Sequence, residues 1–421
     1  MAKIIVVGGS LGGLFIANIL LKPGHDVTLL EKTTGLLNGR GAGIVTHSAL
    51  ADALCEAGIL ANDSLGVLVK KRVTLGHQGQ CLADMDLPQI LTSWSRLFQL
   101  LKNNFPESCY LPGKHVDLVN QDSDHVYVSC ADGSQFTADL LIASDGIRST
   151  IRDQLAPEIK PKYAGYIAWR GVCDEDRLSK LTLETLFDYF GFCLPKGEQM
   201  LGYPVAGPNN DLRPGKRRYN FVWYRGATES DELIKLLTDD DGVFYPTGIP
   251  PLKVSRKNID DIRQIARTHL APQFAEILEK TSTPFLQPIY DVRSEQIVFG
   301  RIALMGDASF VGRPHVGMGV TKAGDEAIAI AKQINNLGAT PMALQAYSNE
   351  RLKIGQDVVA RAQYLGHYMQ SQGQKNSLEH DHLTRNANTV MAETAVDISS
   401  LLATGKAVPD AFANSGAKKG C

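Results

Sequence analysis

At 421 residues, with 44% hydrophobic and 21% charged residues, the chain has an ordinary globular composition and enough length for two domains. A formal net charge of −2 argues against a nucleic-acid or anionic-membrane partner, and no apolar run reaches the ~18 residues of a spanning helix. Seven cysteines, at 55, 81, 109, 130, 173, 193 and 421, show no C-x-x-C spacing and read as reduced thiols. The first strand begins at Lys3, where a signal peptide would otherwise lie, so the expected compartment is cytoplasmic; Cys421 is terminal and therefore not a prenylation site. No metal is expected.

The first elements read as β-α-β. An apolar run over 3–7 ends in glycines, Leu14, Ala17, Ile19 and Leu20 follow at helical spacing, and a second run over 26–30 ends on Glu31. Segments 47–57 and 94–104 are predicted amphipathic helices. From 114 to 142 the pattern is strand-rich, with Ala131-Asp132-Gly133-Ser134 as a hairpin turn. A buried strand over 139–143 delivers the pair Asp145-Gly146.

Near Lys160 the composition shifts. Aromatic-rich strands are predicted over 163–172, 186–194, 200–205 and 218–225, forming one antiparallel sheet with Gly/Pro/Asn turns, and helices over 230–239 and 258–280 are expected to cover it. Buried-strand character returns over 302–305. From Pro341 the chain reads as helical, with a polar, poorly patterned tail after about Gln370. There is no internal repeat.

Gly8-Gly9-Ser10-Leu11-Gly12-Gly13 joins the first strand to its helix. Glycines there allow a tight turn and close backbone approach to a pyrophosphate on the helix N-terminus. Glu31, with Lys32 beside it, ends the second strand in position to accept hydrogen bonds from an adenosine ribose. Ser10 replaces the middle glycine of the usual G-x-G-x-x-G, a variant that crowds the phosphate but can donate to it. The plainer alternative is a glycine-rich turn in an unrelated β-α unit. Gly39-Arg40-Gly41-Ala42-Gly43 lacks a preceding strand and reads as a loop touching a cofactor rather than a second nucleotide site. In Asp145-Gly146-Ile147-Arg148-Ser149-Thr150-Ile151-Arg152, Arg148 and Arg152 are expected one turn apart on a helix; Asp145 as its N-cap explains the acid but not the arginines. Gly306-Asp307 follows another buried strand. Arg313-Pro314-His315-Val316-Gly317-Met318-Gly319 then opens a helix with Ala323, Ala327, Ile330 and Ile334 on its buried face.

In this order and at these separations, the three motifs resemble the single-component FAD-dependent aromatic hydroxylases, the class A flavoprotein monooxygenases, over roughly residues 3–350. The fold implied is α/β mixed with α+β. A discontinuous Rossmann-like FAD-binding domain takes residues 1–162 and 285–340, an antiparallel-sheet substrate domain is inserted at 163–284, and a C-terminal helical region with a tail follows at 341–421. The resemblance gives Asp145 and Arg148 to the pyrophosphate and to nicotinamide nucleotide use, and Gly306 and Asp307 to the ribityl chain. It points the amides of Gly317, Met318, Gly319 and Val320 at the flavin N1 and C2 carbonyl, and sets Arg96 near the flavin, although a solvated surface arginine explains Arg96 nearly as well. Gly8, Ser10, Leu11, Gly12, Gly13, Glu31, Lys32, Arg40 and Gly43 complete the expected FAD contacts.

The activity implied is hydroxylation of a small aromatic ring using NAD(P)H and O2, through a flavin C4a-hydroperoxide shielded from water. The Gly8-Gly9-Ser10 variant, Ala164-Gly165-Tyr166, Trp169-Arg170-Gly171, Asn220-Phe221-Val222-Trp223-Tyr224 and Arg313-Pro314-His315 narrow the resemblance toward dihydroxypyridine hydroxylases, which implies a 2,6-dihydroxypyridine-like ring. Tyr166, Trp169, Tyr203 and Trp223 are expected either to wall a flat apolar pocket or to be core of the inserted sheet. A base or hydrogen-bond acceptor for the ring OH is sought among His47, Tyr203 and His315, each of which has an equally simple structural explanation. Other classes fit less well. A reductase or saturase of an apolar substrate would favour a long apolar channel or a membrane surface, and no amphipathic anchor is seen; a disulfide reductase needs C-x4-C and a second nucleotide motif, and a halogenase W-x-W-x-I-P; a non-catalytic flavin-binding protein remains. Oligomeric state, a homodimer included, stays open.

Overall fold

A computed structural model describes residues 1–35, 43–60, 65–370 and 385–398. Short apolar runs form its first sheet because their residues are buried on both faces: Leu140–Ala143 is wholly buried, and Lys3–Val7 is buried after its first residue. The strand order is Val298–Phe299, Ile302–Leu304, Leu140–Ala143, Lys3–Val7, Asp26–Glu31, Tyr110–Pro112, parallel except at the first pair. Helices Leu11–Leu21 and Gly319–Leu337 pack together, and Ser48–Glu56 packs on the latter. Valines of the three-stranded sheet Val116–Gln121, Val126–Cys130 and Gln135–Ala138 join the same core.

The second sheet has nine strands, in the order Phe310–Val311, Phe285–Arg293, Lys162–Asp174, Arg218–Gly226, Gln199–Val205, Phe190–Cys193, Val67–Leu75, Cys81–Ser93, Gly43–Val45. It is therefore larger than the expected sheet of four, and it is not purely antiparallel, because Phe190–Cys193 runs parallel to Val67–Leu75. Strands from either side of the aromatic segment complete it.

Three local expectations need correction. Residues 183–187 wind into a helical turn that buries Leu186 and Phe187, so the strand expected from 186 begins at Phe190. The helix expected over 258–280 is two, Arg256–His269 and Pro272–Lys280, because Pro272 has no N–H to continue the first and suits the opening of the second. The helix expected over 230–239 is confined to Glu232–Leu236.

Strand alternation divides the aromatics between two faces. Trp169 and Trp223, partners across neighbouring strands, pack with Phe274 and Ile277 beneath the helices, as core. Tyr166, Tyr203 and Tyr224 face the other way. Helix Pro341–Gln370 and the short helix Ala387–Glu393 follow. Among the described residues no helix is long and apolar enough to cross a membrane.

Candidate active site

The loop after Lys3–Val7 can be made only from small residues. A Cβ on Gly13 would lie 1.9 Å from the Gly8 carbonyl oxygen. One on Gly8, at φ +105, would lie 2.2 Å from that of Ser144. The first helical bond is Leu14 N–H to the Ser10 carbonyl, at 2.9 Å, so the amides of Leu11, Gly12 and Gly13 have no partner inside the helix. Those donors and the positive helix end make an anion site. Glu31 is held beside it: Oε2 accepts from Gly9 N–H and Oε1 from Thr33 N–H, both at 2.8 Å. Gly8, Ser10, Glu31, Lys32, Lys114, Asp145 and Arg148 line one cavity here.

Asp145 follows the buried strand Leu140–Ala143. It is not the helix N-cap: helix Thr150–Leu155 is capped by Ser149, whose hydroxyl accepts from Arg152 N–H at 2.9 Å. Asp145 Oδ1 is buried and has no hydrogen-bond partner among the described residues, and burial raises its pKa. A buried acceptor left open at a pyrophosphate-shaped cradle fits a cofactor hydroxyl. The two arginines separate. Arg148 precedes the helix, is exposed, and donates to the Thr247 carbonyl at 2.6 Å. Arg152 is buried and spends its guanidinium on the carbonyls of Ile147, Ile159 and Ala308, a bracing role.

Asp307 opens onto a second cavity, with protein around it raising its carboxyl pKa and Lys322 partly offsetting the rise. Gly306 is clamped: its N–H donates to Glu326 Oε2 at 2.6 Å and its carbonyl accepts from Lys322 Nζ at 2.9 Å. Lys322 and Glu326, nearly fully buried, also pair with each other at 3.1 Å. Helix Gly319–Leu337 begins beside them, and its first internal bond runs from Lys322 N–H to the Met318 carbonyl. The amides of Gly319, Val320 and Thr321 are thus open at a positive helix end, and beyond its chain neighbours and its own helix no described atom lies within 4 Å of where a Gly319 Cβ would stand. Gly317, Met318, Gly319 and Val320 all line the second cavity. So does Gly43, whose N–H donates to Asn220 Oδ1 at 2.9 Å.

The wall facing that helix end comes from the large sheet: Phe190, Tyr203, Tyr224, Gln287 and Arg170. Arg170 donates to Gln287 Oε1 at 2.8 Å, and its buried Nε has no partner among the described residues. Burial raises the phenol pKa values of Tyr203 and Tyr224, against the opposing pull of the Arg170 charge, so both are hydroxyl donors at neutral pH. Thr394 and Ala395 complete the wall from beyond helix Ala387–Glu393.

Of the three sequence candidates for base or acceptor, Tyr203 alone lines this cavity. His315 is buried behind it, with Nε2 3.0 Å from the Tyr166 hydroxyl and Nδ1 2.9 Å from Gln199 Oε1. Burial, then the neighbouring Arg313, pulls its pKa down to about 3. His47 precedes helix Ser48–Glu56, with Nδ1 3.1 Å from Thr321 Oγ1, and lines a different cavity; burial lowers its pKa. Arg96, half-buried in the helix Trp94–Asn104, lines neither of these two cavities. Arg40 lies outside the described residues.

Four contributors went unread as site residues in the sequence. Arg170 had a signal: it shares the period-2 face of Tyr166 and Ala168 in a strand that must bury that face. Lys322 and Glu326 had one too, standing at i and i+4 on the same stripe as Ile330 and Ile334. Thr394 had none.

The two cavities thus offer an anion cradle beside a held carboxylate, and a second carboxylate beside an open helix end. The FAD binding domain-like family matches residues 163–291. The 2,6-dihydroxypyridine 3-monooxygenase of Paenarthrobacter nicotinovorans is 29% identical over 372 residues, covering 88% of this chain and 92% of that protein. The structure of 2,6-dihydroxypyridine-3-hydroxylase from Arthrobacter nicotinovorans superposes with a TM-score of 0.83 at 27% identity, covering 91% of this chain and 96% of that one. The chain is an FAD-dependent aromatic monooxygenase. The fold is shared more widely: Klebsiella pneumoniae HpxO complexed with FAD and uric acid matches at TM-score 0.73 and 21% identity, covering 96% of this chain and 95% of that one. The orphaned Asp145 Oδ1, the glycine cradle and the open helix end are groups that fit such a cofactor.

Proposed function

We propose that this monooxygenase hydroxylates a small hydroxylated aromatic or N-heteroaromatic ring, 2,6-dihydroxypyridine-like, with NAD(P)H and O2 as co-substrates. The observation that carries the reading is one cavity in which Asp307 and the N-terminus of helix Gly319–Leu337 share the lining with Arg170, Tyr203 and Tyr224. In the division of labour we infer, residues 1–162 and 285–340 hold the cofactor and 163–284 supply the ring's wall. FAD, when bound, supplies the redox chemistry that takes electrons from NAD(P)H and activates O2.

The chain's own groups do the rest. Arg170, with an unspent buried N–H, stabilises a ring oxygen as its anion, which is the electron-rich form that accepts oxygen. Tyr203 and Tyr224, held protonated by burial, donate to ring oxygens or nitrogen and orient the ring. Neither is a base, so the proton leaves the substrate to solvent on binding. His315 acts through Tyr166 and Tyr224 as a positioning residue, its ring centroid 4.1 Å from that of Tyr224. His47 supports Thr321 at the flavin-facing helix end. Glu31, Asp145, Arg148 and Asp307, with the amides around Ser10 and Gly319, hold the cofactor.

The test is anaerobic stopped-flow followed by turnover in air. 2,6-Dihydroxypyridine should accelerate flavin reduction by NAD(P)H, and its product should gain one oxygen atom. If dihydroxypyridines do neither while simple phenols do both, the pyridine assignment is wrong and a phenol hydroxylase is the better reading.

A further inference from the structure

A chain of hydrogen bonds runs from a buried ion pair to the cavity wall. Arg313 is held by Asp291, Nε to Oδ1 at 3.1 Å and NH2 to Oδ2 at 2.9 Å. Its guanidinium stands beside Tyr166, with NH1 and the Tyr166 hydroxyl both against Gly366. The cation attracts the lone pairs of the phenol oxygen, which turns the O–H toward His315 Nε2, 3.0 Å away. His315 is neutral and has one N–H; accepting at Nε2 puts that hydrogen on Nδ1, which donates to Gln199 Oε1 at 2.9 Å. The amide is thereby oriented. Gln199 Nε2 faces Thr394 Oγ1 at 3.4 Å and donates to it. A hydroxyl that has accepted still has its own hydrogen to give, and among the described residues no acceptor takes it.

Thr394 is also fixed by its backbone. Arg72 NH1 donates to the carbonyls of Met391 at 2.5 Å and Thr394 at 2.6 Å, and Gln89 Nε2 donates to that of Ala395 at 3.0 Å. Ala395 N–H donates to the His315 carbonyl at 2.9 Å. Ala395 itself stands at φ 49, left-handed for a residue with a Cβ, a strain retained where this segment meets the cavity.

We propose that Thr394 is a substrate-contacting residue whose hydroxyl donates a hydrogen bond to an oxygen or ring nitrogen of the aromatic substrate, and that Gln199 is the positioning residue that turns it. This rests on the ring-hydroxylase reading of the cavity. The inference assigns part of substrate recognition to residues beyond 385, which contribute nothing to the flavin motifs.

The experiment uses the full-length FAD-loaded protein. Binding of 2,6-dihydroxypyridine, 6-hydroxynicotinate and salicylate is read from perturbation of the flavin absorbance. For the probe that responds in the wild type, Thr394→Val should weaken binding about tenfold and lower the product formed per NAD(P)H oxidised, while FAD affinity and melting temperature hold. Thr394→Ser should recover most of that loss. If the valine variant loses FAD, Thr394→Ala makes the same comparison against serine. Gln199→Met should weaken binding about threefold, and adding it to Thr394→Val should cost nothing more, because both act through one hydroxyl. Unchanged binding and coupling in Thr394→Val, with a responding wild type, overturns the role of Thr394 and leaves the proposed function standing. Additive losses in the double variant overturn the role of Gln199. A wild type that responds to no probe overturns the ring reading, and this inference with it.

Discussion

The ammonium of Lys322 donates to the Gly306 carbonyl at 2.9 Å, while its ion-pair partner Glu326 accepts from the Gly306 N–H at 2.6 Å. One buried pair, one helical turn long, therefore holds both backbone faces of the residue that precedes Asp307. Removing only the lysine leaves a buried carboxylate without its counter-charge, a change that costs about 3–5 kcal/mol. Lys322→Met should lower the melting temperature and the FAD content together. Lys322→Met with Glu326→Leu should recover much of the stability but not the FAD content, since the loop loses its clamp. Thermal melts with flavin absorbance on the same samples check both parts; a Lys322→Met protein as stable as wild type would refute the clamp.

Asp307→Ala removes an acceptor that faces the cavity. FAD affinity should fall about tenfold to a hundredfold, the range of one buried hydrogen bond to a charged group. The apoprotein's melting temperature should hold, because Asp307 is exposed to the cavity. Fluorescence titration of apoprotein with FAD measures the first effect; equal affinity in the variant would remove Asp307 from the cofactor site.

Gly13→Ala puts a methyl carbon where the Gly8 carbonyl oxygen stands, 1.9 Å away. The loop must open to admit it, which pulls Gly8 off the ladder hydrogen bond it makes to Leu30, at 2.8 Å. The expected outcome is a destabilisation of about 2–4 kcal/mol and purification without flavin. Denaturant melts and the visible spectrum decide it; a yellow variant of wild-type stability would mean the turn is looser than its geometry.

Two buried histidines make stability depend on pH. His315 has its pKa pulled down to about 3 by burial and by Arg313, and His47 is lowered by burial. Below about pH 6.5 the unfolded chain binds protons that the native state refuses. Stability is therefore fully present above that pH and declines as pH falls, for His315 by about 1.4 kcal/mol per unit toward pH 3, with His47 adding in the same direction. His315→Asn should show a smaller drop in melting temperature between about pH 7 and pH 5 than the wild type, though starting lower. Identical slopes in the two proteins would show that His315 is protonated in the native state.

What was legible in the sequence is what local chemistry dictates. The glycines at 8 and 13, the acid at 31, and the order of three short motifs each record a backbone path or a ligand contact within a few residues of chain, and the parallel strands announce themselves as unbroken apolar runs. The same locality explains the misreadings. Asp145 and Ser149 are both good N-caps, and the folded chain gives the role to Ser149, whose hydroxyl accepts from the N–H of Arg152, itself held by the carbonyls of Ile147, Ile159 and Ala308. Trp169 and Arg170 are neighbours in sequence and face opposite sides of one strand. Which side is core and which is cavity depends on helices Arg256–His269 and Pro272–Lys280 arriving on the tryptophan face. Sequence by itself determined the FAD-binding character, because a cofactor's phosphates and ribose demand particular residues at particular spacings. Tertiary structure alone brought Arg170, Tyr203, Tyr224 and Thr394 to one wall, since they come from three strands and a segment about 170 residues further on, and no spacing rule connects groups that meet only when a sheet closes.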